Sequence, residues 1–206
     1  MKQSLIAGTA VALVSVVAAP RAIAQEASAP AVKSIKAGSY KVEPSHTQIL
    51  FSVLHLGFTK FSGFFSGASG ALELDPANPA ADKLDVSVPV QSVLTTSSKL
   101  DDELKGAQWF DAAKFPTATF TSKKITPTGN GTASISGDLM LHGVTKPITL
   151  NARFVGAGVN PLSKAETVGF EATGTIKRSD FGVKTYVPLV GDNVDLNIAG
   201  AFELKQ

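Results

Sequence analysis

His46, His55 and His142 are the side chains of this 206-residue chain best suited to bind a metal or shuttle a proton near neutral pH. A metal site would need all three to converge. No His-x-His or His-x-x-x-His pair occurs, and His46 and His55 lie nine residues apart, an odd separation that sends them to opposite faces of a single strand. No metal site and no cofactor is expected. Acyl transfer of the Ser–His–Asp kind would need a nucleophile on a sharp turn. The nearest string, Gly67-Ala68-Ser69-Gly70, lacks the Gly-x-Ser-x-Gly spacing and falls in a strand-like run. The absence of cysteine removes thiol catalysis, thiolate-bound zinc and iron–sulfur clusters. The sharpest polar cluster left is Arg178-Ser179-Asp180-Phe181-Gly182. Arg178 has two readings: a charge-assisted contact with a polar or anionic head group, or a pair with Asp180 or Asp111 that pins a strand end. No catalytic residue is assigned, and a binding protein is expected rather than an enzyme.

The residues that must position these groups begin after a leader. Lys2 opens the chain with positive charge, Leu5 to Ala19 is apolar, and Ala22-Ile23-Ala24 presents the small-x-small pattern of a cleavage site. Residues 1–24 are therefore expected to be a cleaved signal peptide, so the mature protein is expected to be exported. The apolar run is shorter than the ~20 residues a membrane span needs, and Pro20-Arg21 end it. Residues 25–38, rich in Ala, Ser and Lys, read as a flexible segment before a single domain at 39–206. The leader holds Lys2 and Arg21, two of the 19 basic residues, so the remainder balances the 17 acidic ones. With no basic run longer than two residues, a nucleic-acid partner is not expected.

From Tyr40 onward the chain alternates apolar and polar residues with a period of two. The clearest runs are Val168 to Lys177 and Val194 to Leu204. Further runs are Ile49 to His55, Phe64 to Leu74, Leu84 to Val90, Ile135 to Leu141 and Ile148 to Phe154. Gly129-Asn130-Gly131 predicts a tight hairpin joining Thr117–Thr126 to Thr132–Leu141. About eight strands follow one another with short connections, which requires antiparallel pairing. One helical excursion interrupts them: Ser97 or Ser98 can cap a helix whose first turn holds Asp101, Asp102 and Glu103, and Gly106 ends it. Long strands with interior glycines favour a closed barrel, and eight strands close around room for one ligand. The expected fold class is all-β: an antiparallel, roughly eight-stranded barrel with one short helical excursion.

Several segments resemble the YceI-like family. They are Tyr40-Lys41-Val42-Glu43-Pro44-Ser45-His46-Thr47, Phe51 to Gly57, Gly63-Phe64-Phe65 and Asp101 to Leu104. Trp109-Phe110-Asp111 and Phe115 to Phe120 follow, then Gly137 to Pro147 and Arg178-Ser179-Asp180-Phe181-Gly182. They occur in the family's order from Tyr40 to Leu204; Glu43 stands where the family has Asp, and Thr47 where it has Ser. The resemblance implies a periplasmic lipocalin-like barrel whose apolar tunnel holds a polyisoprenoid or other long-chain lipid, in a protein that is often dimeric.

Beside that resemblance, the residues themselves suggest a hollow barrel. Ser66, Ala68, Gly70, Gly137, Ala172 and Gly174 occupy positions that alternation directs inward, where small side chains leave volume. Phe51, Val53, Phe64, Phe110, Phe115, Phe120, Leu139 and Phe181 are expected to line the tunnel, with His46 and Arg178 near polar atoms at its mouth. The segment from Thr95 to Ala113 is expected to form a lid or one wall. The partner is a long apolar lipid (polyisoprenoid, isoprenoid quinone or acyl chain), and a transient membrane contact and a homodimer are compatible with this. An enzyme acting on an isoprenoid, or an interaction barrel without ligand, are the competing readings.

Overall fold

The computed structural model describes residues 35–205. The expected leader and all but the last four residues of the 25–38 segment lie outside them. Those four are seated on the barrel: Ile35 packs against its core, and the Lys36 carbonyl accepts the Tyr40 hydroxyl at 2.7 Å.

Ten strands form: β1 (Gly38–Val42), β2 (Gln48–His55), β3 (Thr59–Phe65), β4 (Ser69–Leu74), β5 (Lys83–Pro89), β6 (Thr117–Gly129), β7 (Thr132–Leu141), β8 (Val144–Val159), β9 (Glu166–Lys177) and β10 (Val190–Leu204). All pair antiparallel. The ladder runs β1-β4-β5-β6-β7-β8-β9-β10 and closes from β10 back onto β1, with β2 and β3 continuing from β10. β10 is long enough to serve two partners: Phe202 to Leu204 pair with β1, and Val190 to Ala199 with β2. β1 and β2 are thus one stave interrupted once, and β4 and β3 are the next. The result is a closed antiparallel eight-stranded barrel.

The first interruption has a local cause. Pro44 has no N–H to give to a ladder, so the chain leaves the sheet over 43–47. The gap on β10 is bridged by a side chain: the Thr47 hydroxyl accepts the Ala201 N–H at 3.0 Å and donates to the Ala201 carbonyl at 3.3 Å. Thr47 and the expected Ser would offer the same hydroxyl there. The second break, Ser66 to Ala68, turns on Gly67 at φ +67°.

β4 pairs with β5 but β3, on the other side of that break, does not; among the described residues its outer edge is tied by the Phe64–Leu94 bridge. The connection from β5 to β6 fills the opening. Its helix α1 (Ser98–Lys105) starts where expected, with the Ser97 hydroxyl accepting the Leu100 N–H at 3.4 Å, and stops at Gly106. The Asp101 carboxylate accepts the Thr95 N–H and hydroxyl at 2.6 and 2.7 Å, tying α1 to the chain before it. Val93, Leu104 and Trp109 of this connection pack with Val183, against Phe51, Phe65, Leu100 and Phe110. A second cluster around Tyr40, Leu72, Val168 and Phe202 occupies another part of the barrel, and a third joins Phe120, Ile125, Ile135 and Leu150.

Candidate apolar ligand tunnel

Between these clusters the barrel encloses a cavity of about 870 Å3, near the upper end of the roughly 300–1,000 Å3 typical of small-molecule sites. Its wall is built from the inward residues of the staves, and those are almost all aliphatic or aromatic. β2 contributes Ile49, Phe51, Val53 and His55; β8 contributes Ile148, Leu150, Ala152 and Phe154; β10 contributes Val194, Leu196 and Ile198. One end is framed by Pro76, Pro79 and Asp82 of the β4–β5 connection and by the Gly129-Asn130-Gly131 hairpin. The other is framed by His55, Glu103, Trp109, Arg178 and Tyr186.

Of the residues expected to line the tunnel, Phe51, Val53, Phe110, Phe120 and Leu139 stand on its wall. Phe64, Phe115 and Phe181 do not. The alternation Phe64-Ser66-Ala68-Gly70-Leu72-Leu74 is broken at 66–68, where the parity changes: Leu72 and Leu74 face inward, Phe61 and Phe65 do too, and Phe64 points out. Phe115 and Phe181 join a clamp outside the tunnel. The Phe115 ring meets His142 edge-on with centroids 4.8 Å apart, and His142 Nδ1 lies 3.0 Å from the Phe181 carbonyl. A side chain at Gly143 would strike the Phe115 ring, so the clamp needs glycine there. The β7–β8 turn is thereby fastened to the Arg178–Phe181 turn.

His46 is exposed and away from the tunnel, beside Glu43. Burial pushes the Glu43 carboxyl up, but hydrogen bonds from Ser45 and His46 outweigh it and hold the group below the usual carboxylate range. The histidines stand in three separate places, and His55, not His46, reaches the tunnel wall.

Arg178 reaches the wall but is buried, and its donors go to backbone. Nε bonds the Gly191 carbonyl at 2.8 Å, Nη1 that of Val183 at 3.0 Å and Nη2 that of Val190 at 2.8 Å. Its guanidinium also lies 5.4 Å from the Trp109 ring centroid. Neither Asp180 nor Asp111 is its partner; the nearby carboxylate is Asp192, which accepts the Ser179 N–H and hydroxyl. Burial lowers the Arg178 pKa, and Asp192 opposes that shift. At the opposite end burial raises Asp82 to about 6, against the hydrogen bond that the Asp75 N–H donates to it.

Of the small residues expected inward, Gly137 and Gly174 act differently from expectation. A side chain at Gly63 would meet the Phe51 ring, at Gly137 the Phe120 ring, and at Gly174 the Leu150 side chain. These glycines make room for neighbouring large side chains to lie flat on the wall. Ala152 and Ala172, paired across β8 and β9, do border open space. The expected set omitted Leu150, Ala152, Phe154, Phe170, Leu196 and Ile198. Their signal was plain alternation in β8, β9 and β10, outweighed in that selection by aromatic motif positions.

A model of the YceI-like domain matches residues 40–202. Protein YceI of Escherichia coli O157:H7 is 40% identical over 168 residues, covering 81% of this chain and 87% of that protein. The crystal structure of the Campylobacter jejuni YceI protein is similar with a TM-score of 0.65 and 34% identity, over 74% of this chain and 90% of that one. A polyisoprenoid binding domain from Saccharophagus degradans, implicated in plant cell wall breakdown, superposes with a TM-score of 0.62 over 82% of this chain and 100% of that one; at 15% identity the likeness is one of fold.

Proposed function

This chain belongs to the YceI-like family, and on that premise we propose that it is a periplasmic protein that holds a long apolar lipid in its barrel. The observation that carries the reading is the cavity of about 870 Å3 inside the barrel, with an almost wholly apolar wall. The similarly folded S. degradans domain is described as binding a polyisoprenoid, and a branched isoprenoid tail suits a wall of aliphatic and aromatic side chains. Each buried methylene contributes about 0.8 kcal/mol, so one isoprene unit contributes roughly 3–4 kcal/mol before ordering and association costs. A few units suffice for useful affinity without a metal, a nucleophile or an ion pair. Affinity then grows with tail length, and polar groups at the ends set orientation. The periplasmic assignment is supported by Lys2, the apolar run Leu5 to Ala19 and Ala22-Ile23-Ala24.

Protein purified without detergent and extracted with organic solvent should release about one long-chain lipid per chain, measured by mass spectrometry. Ala152→Phe with Ala172→Phe fills the tunnel from two adjacent positions on one wall and should lower that yield at least tenfold while the fold persists by circular dichroism. A clean extract from the wild-type protein, together with no uptake of added polyprenol, would overturn the reading.

A further inference from the structure

One end of the barrel carries an apolar surface that the tunnel does not account for. Leu54, Leu56 and Phe58 at the β2–β3 hairpin, and Tyr186, Val187 and Leu189 before β10, are all exposed: Phe58 by 84%, Leu189 by 64% and Tyr186 by 59%. These two segments form one surface. The Leu56 N–H donates to the Leu189 carbonyl at 2.9 Å, His55 pairs with Val190, and Gly191 lies against the Leu54 backbone. Side chains of this size gathered in one patch on a soluble surface mark a contact site.

The patch is held out by firm support. Arg178 fastens the carbonyls of Val183, Val190 and Gly191, and the Thr185 hydroxyl donates to the Gln108 carbonyl. Tyr186 leans edge-on against Trp109, with ring centroids 6.2 Å apart. The two segments themselves, Leu54 to Lys60 and Val183 to Val190, carry Lys60 and Lys184 and no Asp or Glu; Glu103, Asp192 and Asp195 stand beside them. Lys60 reaches Asp195 at 2.6 Å, and Lys184 is exposed. A second copy meeting this surface face to face would offer Lys184 no carboxylate from these two segments, whereas an anionic lipid surface offers it phosphates. The patch is also continuous with the tunnel, because His55 and Tyr186 belong to both.

We propose that this end docks on an anionic bilayer, with Phe58, Tyr186 and Leu189 entering the acyl boundary and Lys184 meeting lipid phosphates, so that the tunnel exchanges its occupant with the membrane there. The exchange rests on the reading of the tunnel as a lipid site, but the docking is measurable by itself.

The test is co-sedimentation of the protein with vesicles of phosphatidylethanolamine and phosphatidylglycerol, and with vesicles of phosphatidylcholine alone. The wild type should partition to the anionic vesicles, and Phe58→Asp with Leu189→Asp should weaken partitioning at least about tenfold. Both substituted side chains are well exposed, so circular dichroism should be unchanged. Phe58→Trp supplies an independent readout: its emission should shift to shorter wavelength when anionic vesicles are added. Equal sedimentation of wild type and double variant, no sedimentation of the wild type, or no emission shift would overturn the docking. So would a wild-type dimer that the double variant converts to monomer without vesicle binding, since the patch would then belong to a second copy. Solvent extraction of the same samples separates the two readings. Lipid recovered from a protein that ignores vesicles removes the docking alone; vesicle binding through Phe58 and Leu189 by a protein that yields no lipid removes the tunnel reading alone.

Discussion

A guanidinium buried against three backbone carbonyls makes the 183–191 loop part of the barrel wall. Hydrogen bonds from a charged donor contribute about 1.5–3 kcal/mol each, and removing Arg178 would leave the carbonyls of Val183, Val190 and Gly191 short of partners. Arg178→Ala should therefore cost more than about 3 kcal/mol in urea unfolding. Arg178→Lys, a point charge without the planar fork, should recover only part of that loss. Asp82 supplies a pH dependence. Its carboxyl titrates near 6 in the folded protein, above the ordinary 3.8, because burial disfavours the charge. Between those values the folded state holds a proton that the unfolded chain has lost, so this group's contribution to stability falls as pH rises, and the cost is complete above about 6. Asp82→Asn keeps an oxygen for the Asp75 N–H. It should be more stable than the wild type at pH 7.5, by about 1 kcal/mol because solvent screens the half-exposed carboxylate, with the difference vanishing near pH 3. Urea midpoints across that range check it, and a constant difference would show that the charge is not the cause.

The elements differ in how locally they are specified. α1 begins at Ser97 and ends at Gly106 because a cap and a stop act within one helical turn. The β6–β7 hairpin turns at Asn130, φ +50°, because Asn tolerates that conformation. The wall of β6 was not legible in the same way. Phe120 and Ile125 both face inward although they are an odd five positions apart, because a bulge between Ser122 and Lys124 shifts the register. The glycines of the strands also divide by what faces them. A side chain at Gly137 would meet the Thr121 carbonyl and the Phe120 ring, whereas one at Gly158 meets nothing within 4 Å. Gly137→Ala should cost several kcal/mol, in the range of overpacked cores at about 1–3 or more. Gly158→Ala should stay within about 0.5 kcal/mol. Calorimetric melting of the two variants gives the comparison.

At the scale of the molecule, an open apolar interior is a cost that an apolar occupant relieves. Cavity-lining side chains lack partner atoms on one side, and a ligand that binds only the folded state stabilises it by mass action, about 2.7 kcal/mol at one hundred times its Kd. Delipidated protein should therefore melt below the protein as purified, and added long-chain polyprenol should restore the midpoint in a concentration-dependent way. A midpoint indifferent to extraction and to added polyprenol would count against an occupied tunnel. The β5–β6 connection matters here because it closes the side of the barrel that β3 leaves open after the break at 66–68, placing Leu104, Trp109 and Phe110 on the wall.

The sequence by itself determined that the domain is built from alternating strands, that they pair antiparallel, where one helix starts and stops, and which family the motifs resemble. Those properties follow from short-range rules, in which a residue answers to neighbours two to four positions away. Only the tertiary structure decided which aromatic side chains face the tunnel. Phe65 replaced Phe64 because parity slips at the Gly67 break, and Phe115 and Phe181 went to the clamp on His142. Arg178 found carbonyls across a loop instead of Asp180 or Asp111. Each of these turns on a break, a bulge or a contact between distant segments, and a change of register by one residue sends every following side chain to the other face.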